Sequence, residues 1–226
     1  MAQYLVMPEH SCVLIPDHVS AADAALCEPL AIGVYAAKMS GLRAGQSAAI
    51  LGSGPIGLSV LLAIRALAGR EVQVVSTDLL DYRLHAARAN GADHALCPDG
   101  QDVVGLVRSL HPGGVDAVFE CAGQQETIDQ GLAMLKPGGT IYLIGIPDST
   151  TITVNYDLAR REELALQPVR RQNRCAELTV GLVASGKINL APLATHFFPL
   201  AAAQQAIQTA KDYRDGVIKA VIEPWK

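Results

Sequence analysis

The central part of the chain alternates short apolar runs with longer segments of helical spacing. The apolar runs lack polar alternation, which is typical of parallel strands that are covered on both faces. Strands are predicted at residues 48–51, 72–75, 94–97, 115–121 and 140–144. Helices are predicted between them at 58–68, 82–90, 103–110 and 127–135. This alternation predicts an α/β fold with a doubly wound parallel sheet and right-handed crossovers.

The pattern changes at both ends of the chain. Short strands are predicted at 4–7 and 12–15, and Ser20 is placed to cap a helix. Pro29 is predicted to break that helix, because proline disfavours helical geometry at the residue before it. After Gly145 the pattern predicts further strands and helices: strands at 152–154, 164–169 and 217–222, and helices at 175–185 and 199–212.

The first predicted strand of the sheet runs into a glycine-rich turn with the pattern G-x-G-x-x-G, residues 52–57. Gly52 permits a tight turn, Gly54 lets the backbone approach a pyrophosphate, and Gly57 allows close packing of helix and strand. Pro55 fits the first helical turn, where its missing N–H removes no helical hydrogen bond. The free amides there, together with the helix dipole, predict an anion site.

An acidic residue completes this motif. Asp78 follows the second predicted strand, 21 residues after Gly57. The strand before the turn, the helix after it and the acidic residue together indicate a Rossmann domain that binds a dinucleotide. Because a carboxylate there accepts hydrogen bonds from the adenosine ribose and repels a 2′-phosphate, the sequence favours NAD over NADP.

Composition excludes several other classes of function. The 226-residue chain has a net charge of −4, which argues against a nucleic-acid partner. No apolar run reaches membrane-spanning length, since Arg65 interrupts the best candidate. The five cysteines are odd in number and include no C-x-x-C pair, which predicts reduced thiols and a cytoplasmic location.

Several further stretches accompany the glycine turn and Asp78. They are Glu28-Pro29-Leu30-Ala31, Glu120-Cys121-Ala122-Gly123, Lys136-Pro137-Gly138-Gly139, Arg170-Arg171-Gln172-Asn173 and Thr195-His196-Phe197-Phe198-Pro199-Leu200. In this order they resemble the zinc-dependent medium-chain alcohol dehydrogenase family, especially its sorbitol/polyol and threonine dehydrogenase branch. The resemblance implies NAD, a catalytic zinc, an alcohol or polyol substrate that is oxidised to a ketone, and a homo-oligomer (dimer or tetramer).

The sequence departs from the family in one large respect. The family's GroES-like first domain carries the zinc-binding cysteine and a His-Glu pair, and no His-Glu dipeptide occurs here. We therefore expect three units: a hinge and remnant of the mainly β catalytic domain at 1–40, the Rossmann domain at 41–185, and a C-terminal return segment at 186–226. The alternative is a non-catalytic NAD-binding module or a truncated product without zinc or dehydrogenase activity.

Site residues follow from the motif and the resemblance, although no catalytic residue is assigned. Glu28 is expected beside the zinc; the alternative is a solvated glutamate, since one carboxylate does not hold Zn²⁺. Arg83 is expected to cover the adenine, with a solvated helix arginine as the alternative. Arg171 is expected to reach the cofactor, with a surface salt bridge as the alternative. The predicted cofactor-binding residues are Gly52, Ser53, Gly54, Pro55, Ile56, Gly57, Asp78, Leu79, Arg83, Cys121, Ala122, Gly123, Ile144, Gly145, Ile146 and Arg171.

Overall fold

A six-stranded parallel sheet forms the centre of the fold. In the computed structural model, which describes residues 1–226, its strands are β1 (Ser47–Leu51), β2 (Gln73–Thr77), β3 (His94–Leu96), β4 (Val115–Glu120), β5 (Leu135–Leu143) and β6 (Ala165–Pro168). The strands pair in parallel in the order β3-β2-β1-β4-β5-β6. This is the strand order of the Rossmann fold, so the predicted doubly wound α/β sheet is confirmed.

Helices cover the sheet: α1 (Ala21–Ser40), α2 (Pro55–Leu67), α3 (Asp81–Ala89), α4 (Val103–Leu110), α5 (Gln125–Met134), α6 (Tyr156–Arg161) and α7 (Ala176–Ala184). Successive residues of a strand point to opposite faces, so each strand contributes to two apolar cores. Ile50 and Phe119 are buried in one core, and Leu51 and Val118 are buried in the other. None of the helices has the length and apolar character needed to cross a bilayer.

The C-terminal segment adds a separate two-stranded parallel sheet. Its strands are β7 (Ala194–Pro199) and β8 (Lys219–Glu223), and α8 (Ala203–Lys211) lies between them in sequence. The sequence analysis predicted a strand in place of β8 and a helix in place of α8, but it missed β7.

The predicted break at Pro29 is wrong, because α1 continues through it from Ala21 to Ser40. Leu26, Leu30 and Val34 lie on the face of α1 that is buried in the core, each no more than 2% exposed. An interior proline costs a helix about 3 kcal/mol. The burial of these neighbouring side chains offsets that cost.

Four other local predictions are also wrong. Residues 4–7 and 12–15 form no strand, since no neighbouring strand lies beside them and Glu9–Ser11 forms a single 3₁₀ turn. Residues 152–154 are irregular because the Thr153 backbone pairs with the side chain of Gln125, with both hydrogen bonds 2.9 Å long. The Pro-Gly-Gly sequence at 137–139 predicts a turn before the fifth strand, but these residues form a bulge within β5, because Val115 and Ala117 of β4 pair with Leu135 and Thr140.

Candidate functional site

A cleft of about 920 Å³ opens at the carboxyl ends of β1, β2 and β4. One wall is formed by the glycine turn after β1, the residues after β2 and the residues after β4. The opposite wall is formed by α8, the loop after it and β8. β1 lies between β2 and β4, where the strand order reverses. Doubly wound folds bind their ligands at this position.

The glycine turn takes its shape from two close backbone approaches. Gly52 has a φ of +95°, and a Cβ there would lie 3.2 Å from the amide nitrogen of Ala122. A Cβ at Gly57 would overlap the carbonyl oxygen of Gly52. Gly54 is the N-cap of α2 and Pro55 its first residue, so the amides of the first helical turn have no acceptor within the helix.

The Asp78 carboxylate is held at the cleft by two backbone amides. Its Oδ2 accepts a hydrogen bond from the amide of Ser53 (2.8 Å), and its Oδ1 accepts one from the amide of Leu80 (3.0 Å). The side chain of Asp78 is 7% exposed, and it lines the cleft. The carboxylate therefore joins the end of β2 to the glycine turn, with one edge towards the cleft.

Arg83 lies beside this carboxylate in the first turn of α3 and also lines the cleft. Its Nη1 is 3.5 Å from Asp78 Oδ2, and its guanidinium carbon is 4.7 Å from the centre of the Tyr213 ring. A Cβ at Gly54 would lie 3.5 Å from Nη1, which places the guanidinium over the glycine turn.

The sequence model of the family of zinc-binding dehydrogenases matches residues 55–184 of the chain, more than half of its length. The chain belongs to this family. Family membership and strand order agree, because both indicate a dehydrogenase-type Rossmann domain.

Relatives of known name support the same assignment. Sorbitol dehydrogenase of Bacillus subtilis is 30% identical over 98% of this chain. L-idonate 5-dehydrogenase of Vitis vinifera is 33% identical over 88% of it. The matched residues make up 63% and 55% of the lengths of these two relatives, so the chain spans less than two thirds of either.

A solved structure shares the fold over nearly the whole chain. A protein from Sinorhizobium meliloti 1021, solved bound to NADP, superposes with a TM-score of 0.84 at 28% identity. The similarity covers 93% of this chain and 61% of that protein.

The surroundings of Glu28, the residue predicted to lie beside a zinc ion, do not provide the ligands that a zinc ion needs. Glu28 lies exposed on α1, and residues 1–226 contain no group of three or more histidine, cysteine, aspartate or glutamate side chains placed to hold a metal ion. Zinc in proteins takes three or four such ligands. The side chains of this chain therefore do not form a zinc site by themselves.

The structure brings nine of the predicted cofactor residues together along the cleft. They are Gly52, Gly54, Pro55, Ile56, Asp78, Leu79, Arg83, Cys121 and Ala122. Ser53, Gly57, Gly123, Ile144 and Gly145 lie outside the cleft lining. Of these, Ser53 is fully buried, and its hydroxyl pairs with that of Ser76 at 2.8 Å.

The remaining two predicted cofactor residues are exposed and outside the cleft lining. Ile146 is 91% exposed, although its carbonyl would be 2.7 Å from a Cβ at Gly123. Arg171 lies in the loop between β6 and α7 with a φ of +51°. The structure therefore places Ile146 beside the loop after β4, and it does not bring Arg171 to the cleft.

Sequence reasoning missed the organising role of Glu120 at the end of β4. This side chain is buried, and its Oε1 accepts hydrogen bonds from the amides of Ala122 (2.8 Å) and Gly123 (2.7 Å) and from Thr127 Oγ1 (2.8 Å). It fixes the loop that forms one side of the cleft. An acidic residue at the buried end of β4, directly after the apolar residues 117–119, was the available signal.

Cys121 follows Glu120 and faces the cleft as a neutral thiol. Burial raises the pKa of Cys121 well above its ordinary value, and the negative charge of Glu120 raises it further. A thiolate is the nucleophilic and metal-binding form of cysteine. Cys121 is therefore suited to apolar contact with a ligand and not to covalent chemistry.

Residues of the C-terminal wall were also missed, among them Ile207, Tyr213 and Lys219. They come from α8, the loop after it and β8, far from the glycine turn in sequence. No local motif marks them, because their place in the cleft depends on how the C-terminal segment packs on α3.

Proposed function

We propose that this chain is the NAD(H)-binding portion of a zinc-dependent alcohol or polyol dehydrogenase. The whole protein would oxidise a secondary alcohol to a ketone by hydride transfer to NAD. Family membership supports the dehydrogenase class, and the sorbitol and idonate dehydrogenases among the relatives support a polyol substrate. The proposed units are 1–40, 41–185 and 186–226, with the cofactor between the second and third.

The observation that carries the proposal is the arrangement of Asp78 against the glycine turn. Asp78 Oδ2 accepts a hydrogen bond from the Ser53 amide, so the carboxylate and the turn act as one rigid element. The first amides of α2 face the cleft from the same element and suit a pyrophosphate. The carboxylate then lies where ribose hydroxyls are recognised, and it disfavours a 2′-phosphate by charge repulsion.

The other cleft residues would each contact a different part of the cofactor. Arg83 would cover the adenine. Cys121 and Ala122 would contact the part of the cofactor between the adenine and the nicotinamide, and the nicotinamide would lie near Ile144 to Ile146 at the end of β5. When the cofactor is bound, its nicotinamide ring is the hydride acceptor. This chain's own residues bind and orient it and exclude water from the cleft.

A second candidate function is a non-catalytic NAD-binding module. The observation that favours it is the set of metal-ligating side chains, since neither Glu28 nor any other residue of the chain belongs to a group of three or more that could hold a metal ion. The two candidates share the cofactor site and differ in whether alcohol is oxidised. We also propose that the chain forms a homo-oligomer, as the family resemblance implies.

A titration tests the shared part of the proposal. Adding the chain to NADH should increase and blue-shift the fluorescence of the reduced nicotinamide, and ADP-ribose should displace it. Absence of saturable binding would contradict both candidates. Polyol-dependent reduction of NAD, measured on the chain and on a form extended at its N-terminus, would then favour the dehydrogenase, and absence of activity in both would favour the binding module.

A further inference from the structure

A tyrosine on the C-terminal wall contacts the arginine on the opposite wall of the cleft. The centre of the Tyr213 ring lies 4.7 Å from the guanidinium carbon of Arg83. Cations this close to an aromatic face are attracted by its negative potential. The contact links the loop after α8 to the first turn of α3, across the mouth of the cleft.

The backbone of Tyr213 is held in an uncommon conformation. Its φ is +53° and its ψ is 35°, a left-handed geometry that bulky side chains rarely adopt. The following turn is anchored, since the Val217 amide donates to the Arg214 carbonyl (3.0 Å) and the Tyr82 hydroxyl donates to the Val217 carbonyl (3.3 Å). The loop is therefore fixed to α3 at the point where the Tyr213 ring meets Arg83.

The guanidinium of Arg83 has a second neighbour and a spare donor. Nη1 lies 3.5 Å from Asp78 Oδ2, and the Arg83 side chain is 15% exposed. The Nε atom is buried and has no hydrogen-bond partner in the chain. The guanidinium thus lies between the Asp78 carboxylate and the Tyr213 ring, with the Tyr82 ring farther away at 5.9 Å, and its Nε hydrogen is not engaged.

We infer that Tyr213 is a specificity-determining residue that positions Arg83 against Asp78. This inference rests on the proposed NAD site and deepens it. With the ring in place, the guanidinium faces the carboxylate. Without the ring, the long arginine side chain is free to turn towards a 2′-phosphate, which a guanidinium binds with two parallel hydrogen bonds. Tyr213 therefore favours NADH over NADPH by acting on Arg83.

Three variants test this role by fluorescence titration with NADH and NADPH. Tyr213→Phe keeps the ring, Tyr213→Leu removes it, and Tyr213→Gly removes it while permitting the left-handed backbone without strain. We expect Tyr213→Leu and Tyr213→Gly to lower the ratio of the NADPH Kd to the NADH Kd by about two- to fivefold, the range of an exposed cation–π contact. Tyr213→Phe should keep the wild-type ratio.

An unchanged ratio in Tyr213→Leu and Tyr213→Gly would overturn the inference. An equal loss in Tyr213→Phe would overturn it as well, because the hydroxyl and not the ring would then be responsible. A merely structural tyrosine would alter thermal stability or both dissociation constants in proportion, without moving their ratio.

A measurement without cofactor separates this inference from the proposed function. The Nε–H signal of Arg83 in a nitrogen–proton NMR spectrum, assigned with Arg83→Lys, should show a ring-current shift in the wild type and in Tyr213→Phe. The shift should become smaller in Tyr213→Leu, where only the more distant Tyr82 ring, 5.9 Å from the guanidinium carbon, remains. An unshifted wild-type signal would contradict the contact itself. Failure of the wild type to bind either dinucleotide would contradict the proposed function, and the Arg83 signal would still decide whether the ring holds the guanidinium.

Discussion

Thr127 in the first turn of α5 donates a 2.8 Å hydrogen bond to Oε1 of Glu120 at the end of β4. The same oxygen accepts hydrogen bonds from the amides of Ala122 and Gly123, so one buried carboxylate holds the loop between β4 and α5 in place. This loop carries Cys121 and Ala122 into the cleft. The shape of the site therefore depends on a side chain that does not line it.

We expect Glu120→Ala to lower the free energy of unfolding by about 3 kcal/mol, because it leaves buried donors without an acceptor. Thr127→Val removes one of the three hydrogen bonds and should cost about 1 kcal/mol. Urea unfolding of the two variants measures both values. Equal losses in the two variants would show that the backbone amides find other acceptors.

Local motifs predicted the elements that line the cleft well. The glycine turn and Asp78 are recognisable from sequence because each requirement is met within a few residues: a left-handed glycine, a helix start and an acid after a strand. α4 was predicted at its observed bounds, Val103–Leu110, and in the structure the Asp102 side chain caps it by accepting a hydrogen bond from the Gly105 amide.

Features that depend on distant contacts were not predictable in the same way. Pro29 lies inside α1 because neighbouring side chains are buried against α2 and α7, which no local pattern reveals. Residues 4–7 have strand-like composition but find no partner strand. Tyr213 reaches the cleft only because its loop is anchored to α3, and the role of Glu120 depends on three donors that follow it in the chain.

His111 should make the stability of the protein sensitive to pH. Burial lowers the pKa of His111 below its ordinary value of 6.5, His94 lowers it further, and Asp116 and Asp93 act in the opposite direction. The folded state then binds fewer protons than the unfolded state in this range. Stability should therefore rise with pH up to about 6.5 and fall as the pH drops below that value.

The matching measurement is urea unfolding between pH 5 and 7.5 for the wild type and His111→Gln. The variant should lose less stability on acidification, because it has no group to protonate at this position. Parallel pH profiles for the two proteins would contradict the assignment. His10→Gln is a suitable control, since His10 is exposed near the start of the chain.

Removal of metal should leave the isolated chain unchanged. Because residues 1–226 hold no group of three metal-ligating side chains, we expect no stoichiometric zinc by elemental analysis. Dialysis against EDTA should change neither the melting temperature nor the Kd for NADH. One tightly held zinc per chain, or a loss of NADH binding after EDTA, would contradict this reading of Glu28.

The central claim is that Asp78 makes this cleft a site for NAD(H), although a structural neighbour was solved with NADP. The most direct test is a titration of NADH and NADPH into the wild type, Asp78→Asn and Asp99→Asn. Asparagine removes the charge and can still accept a hydrogen bond from the Ser53 amide, while its NH2 group takes the place of the oxygen that accepts from the Leu80 amide. Asp99 lines the same cleft without bonding to the glycine turn, so it controls for net charge.

We expect the wild type to bind NADH at least about tenfold more tightly than NADPH, a difference of about 1.4 kcal/mol. Asp78→Asn should lose most of that preference, and Asp99→Asn should keep it. A wild type that binds NADPH as tightly as NADH, or an Asp78→Asn variant with undiminished preference for NADH, would contradict the account.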